Sequence, residues 1–380
     1  MNRTPRIGLL GGAGAVGREV AARLRARGAG EVLIGGRDLA SAEAVVAGVL
    51  QGEGHAVEAD ADDPASLRDF CAASDTVVNC AGPSRLLMDR VAVAAVRGGA
   101  RYVDVGGDDP VYEQMTRSAP PGTGTVVLSA GMIPGLTGLL PRYLAGLGFT
   151  RVDRLTMYHG VRDRIGRAGA YDFVAGIAEG GDESFAAWRS GGPRPGAARR
   201  AELVLPGFTD VVTVHPYLSP EARRTAELLG LRDGDWHTVL FEGQTSAVLG
   251  GLPGLAKDGL TEDGLRAAAE RLSRAAEFDL LGRTPQVALL FGLDGHGEGG
   301  AMTRSLVLRA TGAAELVAAA TAVTVDEAVR GHLPAGVHFA ADVLDPARAG
   351  AALAEDPGVL QLSVHDGPLE QIVAHDEGAI

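Results

Sequence analysis

Cysteine is almost missing from this chain. Cys71 and Cys80 are the only two in 380 residues, and neither sits in a CxxC pair. Two such thiols build no disulfide framework and no zinc site by themselves. Lysine is scarcer still: Lys257 stands alone, and the other Lys/Arg positions are all Arg. A Schiff-base or P-loop lysine would have to be Lys257, in "GGLPGLAKDG", and no GxxxxGK[ST] surrounds it. Aromatics make up 4% of the residues, few for an aromatic-rich sandwich. No apolar run approaches the ~18–20 residues that span a bilayer, and no GxSxG elbow, HExxH or paired zinc spacing occurs. The net charge of −13 argues against nucleic acid and anionic membranes as partners. These absences predict a cytoplasmic chain that acts on a small-molecule substrate.

What the sequence has in plenty is glycine, 55 residues, with 46% apolar residues. That composition suits a glycine-turned α/β protein, and the length suits two or three domains. The opening stretch "RIGLLGGAGAVGREVAARL" (6–24) carries Gly12, Gly14 and Gly17 at GxGxxG spacing. The motif counts only in context: an apolar strand before it, an amphipathic helix after it, and a ribose-reading residue at the end of a second strand. "RIGLL" is the strand. The helix after it puts Val16, Val20 and Leu24 on one stripe and stops at Gly28. Gly12 is expected to permit the tight turn, Gly14 to let the backbone approach a pyrophosphate, and Gly17 to let helix and strand close up. Ala15 and Val16 open the helix, whose N-terminus suits phosphate.

The second strand, "EVLIGGR" (31–37), ends without the carboxylate that usually reads the ribose hydroxyl of NAD. Gly35 and Gly36 stand there, and Arg37 follows. A guanidinium binds a 2′-phosphate that a carboxylate would repel, so the stretch predicts NADP(H) over NAD. Asp38 is expected to turn away and cap the next helix. Further strands are predicted at 55–60, 75–83, 101–108 and 124–136, alternating with helices. Six such strands give a doubly wound Rossmann sheet.

"GGAGAVGREVAARL", "GGRD", "VNCAGP", "YVDVGGD" and "AGMIPGL", in this order, resemble the saccharopine dehydrogenase (saccharopine reductase) family over about residues 5–140. The resemblance is fainter over 150–180 and 331–345. It implies NADP(H) and hydride transfer to or from a C=N bond joining an amine to a keto or aldehyde carbon. By resemblance, Asn79, Cys80, Ala81, Gly82 and Pro83 lie along the nicotinamide ribose. Gly106, Gly107, Met132, Pro134 and Gly135 line the cleft, and Asp60 sits near the adenine. Family members often show a small-Gly-Thr turn before the helix that here reads "RAGAYDFVAGIAEG". The resemblance therefore carries cofactor and reaction class, not substrate.

The α/β rhythm changes near residue 150. The sequence predicts a Rossmann domain over 1–140, an α+β mixed-sheet substrate and dimerisation domain over 141–332, and a segment 333–380 packing back between them, in a homodimer. "RVDRLTMYHGV" (151–161) alternates like a half-exposed strand. Residues 201–215 read as strands broken at Pro206-Gly207, and 284–312 as a hairpin with a glycine tip. Helices fit 171–179, 219–230, 261–281 and 313–330, and 190–200 reads as a mobile loop. Tyr158 and His159, ending the first strand, and Tyr171 and Asp172, beginning the following helix, are the catalytic candidates. A lone Tyr or His on a strand is more often structural. His215 with Tyr217, and Trp236 with His237 at the start of a loop, are weaker pocket candidates. Arg162, Arg164 and Arg167 are a possible carboxylate clamp. Asp294, His296 and Glu298 in "DGHGEGG" resemble metal ligands, but a solvated hairpin tip is the better reading, and no metal is expected.

These features support an NADPH-dependent imine reductase of amino-acid or specialised metabolism. Two alternatives remain: a C=O or C=C reductase acting on a larger apolar substrate, and a non-catalytic protein that senses NADPH.

Overall fold

The computed structural model describes residues 4–118, 122–179, 185–198, 200–257 and 261–376. The chain divides into two compact units. Residues 1–136 with 314–345 form the first, and 137–313 with 346–380 the second.

The first unit is a seven-stranded, all-parallel sheet. Its strands are β1 (Arg6–Leu10), β2 (Glu31–Gly36), β3 (His55–Glu58), β4 (Thr76–Asn79), β5 (Arg101–Asp104), β6 (Thr125–Leu128) and β15 (Gly336–Phe339). The order β15-β6-β5-β4-β1-β2-β3 reverses direction between β1 and β4. Ligands of such sheets bind outside the carboxyl ends of the strands at that reversal. The strands are short and apolar because both faces are covered: Ile7, Leu9, Ile34, Val77, Val78, Val103 and Val127 are all buried. Glycine makes room inside the sheet. A Cβ on Gly35 would lie 2.5 Å from the ring of Phe70, and one on Gly8 would lie 3.0 Å from it. Phe70, from helix α3 (Pro64–Ala72), thus seats directly on β1 and β2. Its burial contributes roughly 1.5–3 kcal/mol.

The six expected strands are present. The seventh, β15, comes from what read as a tail. It pairs with β6 from Gly336↔Thr125 to Phe339↔Leu128. Helix α12 (Ala313–Val329) precedes it and is apolar nearly all round, as a buried helix is. Thr321 of α12 donates to the Ala130 carbonyl just past β6, at 3.0 Å.

The second unit is a nine-stranded mixed sheet. Its main path runs β10 (Arg200–Leu203), β11 (Val212–Pro216), β12 (Asp233–Leu240), β7 (Phe149–Arg162), β13 (Gln286–Gly297), β14 (Gly300–Ala310) and β16 (Val359–Asp366). Only β7 and β12 run parallel along that path; the other neighbours are antiparallel. The 190–200 stretch departs from the expected loop. It holds β9 (Gly192–Pro195), paired with β8 (Ala186–Arg189), and the start of β10, while residue 199 lies outside the described residues. Glycine and proline there mark a hairpin turn and an edge strand. Trp236 and His237 lie mid-strand in β12, not at a loop start. Lys257 ends a helix, α10 (Gln244–Lys257). The segment expected over 333–380 is divided, because β15 joins the first sheet and β16 the second. Among the described residues, no helix is long and apolar enough to cross a membrane.

Candidate functional site: the crevice at the β1–β4 reversal

The glycine loop joins β1 to helix α1 (Ala15–Ala26). The left-handed residue is Gly11 (φ +75), not Gly12 as the spacing suggested. A Cβ on Gly11 would meet the Ala81 nitrogen at 2.7 Å, so the loop presses against the segment after β4. Gly12 serves packing instead: its Cβ would lie 2.9 Å from the Leu9 carbonyl and 3.0 Å from Ile34. Gly17 is where helix meets loop, and a Cβ there would lie 2.4 Å from the Gly11 carbonyl. Gly14 is the helix cap. No side chain caps this end, and no acidic residue lies in the first turn. Gly14 and Ala15 are exposed, and Val16 is half-buried. A helix N-terminus with open backbone donors and no competing carboxylate is suited to phosphate.

At the end of β2, Gly36 is open, with nothing within 4 Å of where a Cβ would stand. Arg37 is exposed and has no ion pair among the described residues. Asp38 does not compete for the same ligand. Its carboxylate accepts from Ala40 N at 3.1 Å and Ser41 N at 3.4 Å, capping helix α2 (Leu39–Gly48). The Ser41 hydroxyl, followed by these backbone donors, holds that carboxyl below its usual range. Asp60 follows β3 and accepts from Asp62 N at 2.9 Å.

Past β4, β5 and β6 three loops are tied together. Asn79 donates to Asp104 at 3.2 Å and accepts from Ala81 N at 3.1 Å. Asp104 also accepts from the Tyr102 hydroxyl at 2.5 Å and from Gly106 N at 2.9 Å. Asn79, Tyr102 and Asp104 are all buried. Burial, with Asp104 beside it, pushes the Cys80 thiol up, which makes it a poor nucleophile at neutral pH. The Gly82–Pro83 bond is cis. Asp108 pairs with Arg85 at 3.0 Å, yet burial pushes its carboxyl up. Gly107 and Gly135 have positive φ, and a Cβ on Gly135 would lie 2.2 Å from the Gly131 carbonyl.

The four catalytic candidates do not form one cluster. Neighbours on a strand point to opposite faces, so Tyr158 and His159 look to opposite sides of the second sheet. Tyr158 belongs to the apolar cluster with Phe208, Val239 and Leu290 and stacks on His237, with ring centroids 4.9 Å apart. His159 shares a hydrogen bond with Thr238 through Nε2 (3.1 Å), and its Nδ1 is without a partner. Burial, then the nearby His237, lower His159 to about 4. Helix α8 (Arg167–Glu179) begins at Arg167 rather than 171, so Tyr171 and Asp172 lie a turn inside it. The Tyr171 hydroxyl donates to Glu262 at 2.7 Å. Burial and that carboxylate push it up to about 12. Arg162 pairs with Asp210 and stacks over Phe241, 4.9 Å from its centroid. At the hairpin tip, Asp294 accepts from Thr303 (2.7 Å), and His296 lies 3.2 Å from Asp153.

The family model described as the saccharopine dehydrogenase NADP-binding domain matches residues 7–121. This segment is similar to the NADP-binding domain of saccharopine dehydrogenases. Its cofactor is NADP(H). A probable mitochondrial saccharopine dehydrogenase-like oxidoreductase of Arabidopsis thaliana is 35% identical over 88 residues, which is 22% of this chain and 19% of that protein. The apo saccharopine dehydrogenase (L-Glu forming) of Saccharomyces cerevisiae superposes over 96% of this chain and 100% of its own. The TM-score is 0.69 at 15% identity, a likeness of fold.

In the NADP-binding domain, the structure adds two residues that the spacing did not reveal. Gly11 carries the positive φ, and only its clash with Ala81 shows why. Asp104 sits inside "YVDVGGD", but its role depends on three loops meeting in space. The exposed Arg37, without an ion pair among the described residues, and the helix end at Gly14, which has no side-chain cap, fit a cofactor bearing a 2′-phosphate and a pyrophosphate.

Proposed function

We propose that this protein is an NADPH-dependent oxidoreductase that reduces a C=N bond formed between an amine or amino acid and a carbonyl compound. The observation that carries the cofactor part is the match to an NADP-binding domain, with Arg37 exposed at the end of β2 and without an ion pair among the described residues. The Arabidopsis relative is described as a saccharopine dehydrogenase-like oxidoreductase, which supports the reaction class. In this reading the Ala15, Val16 and Gly17 backbone holds the pyrophosphate, and Arg37 holds the 2′-phosphate. Asp60 borders the adenine side. Asn79, Cys80, Ala81, Gly82, Pro83 and Gly106 line the nicotinamide half. NADPH, when bound, supplies a hydride.

Among the candidate acids, His159 is neutral at pH 7 and Tyr171 is bonded to Glu262. Neither state suits proton donation near neutrality. An iminium substrate arrives already protonated and needs no such donor. Tyr171 and Asp172 are therefore proposed to help orient the substrate rather than to supply a proton, and Tyr158 and His159, on opposite faces of the second sheet, to support its strands. The test is NADPH consumption with paired amines and keto acids or aldehydes. Turnover with such a pair, and none with the carbonyl compound alone, supports the reading. Turnover of ketones or alkenes alone would overturn it.

The reading includes a homodimer. Its support is the outer edge of β16, which exposes Leu360 and Val364 and has no charge or proline between residues 359 and 364. Such an edge invites strand pairing. Sedimentation at working concentration tests it: a monomer would contradict the expectation.

A further inference from the structure

The crevice at the strand reversal has two halves. Arg37 and the glycine loop belong to β1 and β2, while the loops after β4, β5 and β6 border the other half. Mononucleotide halves of this fold divide the dinucleotide in the same way. Asp104 is the point where those three loops meet. Through Asn79, which also accepts from Ala81 N (3.1 Å), it holds the loop after β4. Its own Oδ1 accepts from Gly106 N at 2.9 Å in the loop after β5. Its backbone carbonyl accepts from Ala130 N at 2.8 Å in the loop after β6. Ser129 then donates twice to the β5 loop: its N–H to the Gly106 carbonyl at 2.7 Å, and its hydroxyl to the Gly107 carbonyl at 2.9 Å. Ser129 holds a positive φ of 55 while fully buried, a conformation that side-chain residues keep only when their surroundings enforce it.

We propose that Asp104, braced by Tyr102, is a positioning residue that sets the shape of the nicotinamide half of the crevice without touching the cofactor. This rests on the cofactor reading above. A carboxylate suits this place because Tyr102, Asn79 and Gly106 all donate to it. Oδ2 takes the Tyr102 hydroxyl and the Asn79 amide, and Oδ1 takes Gly106 N. An amide at this position turns an NH2 toward at least one donor whichever way it is placed. The Asn79–Ala81 loop or the Gly106 loop is then released, while the glycine loop keeps its backbone bonds to the Gly35 and Leu9 carbonyls.

The experiment compares two ligands on the full chain. NADPH spans both halves, whereas 2′,5′-ADP occupies only the adenine half. Asp104→Asn is expected to weaken NADPH by about tenfold or more, the usual scale for a lost buried bond to a charged group. Its affinity for 2′,5′-ADP should stay within about twofold. Tyr102→Phe removes one brace and should show the same split, more weakly. If Asp104→Asn yields no folded protein, Tyr102→Phe decides by the same pair of titrations. Equal losses for both ligands would show general damage and overturn the proposal, as would no loss for either. A wild-type chain that binds neither ligand would overturn the cofactor reading itself, and the proposal with it.

Discussion

Gly17 and Gly36 lie 19 positions apart and behave oppositely under the same substitution. A methyl on Gly17 would stand 2.4 Å from the Gly11 carbonyl, a backbone atom that cannot step aside. A methyl on Gly36 would meet nothing within 4 Å. Gly17→Ala is expected to abolish NADPH binding or halt folding, and Gly36→Ala to leave both nearly unchanged, as titration and thermal melting would show. His159 gives a prediction of another kind. It titrates near 4 in the folded chain against an ordinary 6.5, so the unfolded chain takes up the proton first. Its contribution is therefore whole above pH 6.5 and is lost as pH falls toward 4, amounting to about 3 kcal/mol at most. His159→Gln should flatten that part of the acid dependence of melting, and an unchanged slope would contradict the assignment. At this scale the sequence was legible where chemistry is local. Asp38, expected to turn away and cap the next helix, does so. Gly11 and Asp104 are not legible, because Ala81 and Asn79, which they meet, come from β4 and the loop after it.

Elements are legible where strands alternate with helices and poorly legible where they do not. The glycine-loop helix and the six strands of the first sheet follow that β–α rhythm, although β3, β4, β5 and β6 are only four residues each. β8 and β9 are equally short, but no helix separates them and their glycines and prolines read as loop. Trp236 and His237 read as a loop start because "DGD" precedes them, yet β12 begins inside that acidic run. Helix α12 was recognised as a helix but not as part of the first unit. Its tether is Thr321, whose hydroxyl donates to the Ala130 carbonyl from a fully buried position. Thr321→Val keeps the volume and leaves that carbonyl without this donor. A loss of roughly 1 kcal/mol is expected, read as a lower melting temperature, while no change would show the bond to be idle.

At the scale of the whole chain, the first unit is not a continuous stretch. It takes residues 1–136 and then 314–345, because β15 completes the sheet beside β6. No local pattern announces this; a strand of four residues after a buried helix fits either unit. The expected consequence concerns fragments. A piece ending at residue 140 leaves the β6 edge bare and should aggregate or bind NADPH poorly, since open strand edges invite pairing. The same piece carrying 314–345 on a flexible linker should bind NADPH. Equal behaviour of the two fragments would show that β15 and α12 are dispensable.

The central claim is that this chain holds NADP(H) through the crevice at its strand reversal, with Arg37 as the phosphate reader. The most direct measurement is a titration of the purified chain with NADPH and with NADH, before and after Arg37→Ala. NADPH is expected to bind at least about tenfold tighter, or ~1.4 kcal/mol, and Arg37→Ala should erase the gap while leaving NADH unchanged. Equal affinity for the two cofactors in the wild-type chain, or a preference that survives the loss of Arg37, would contradict it.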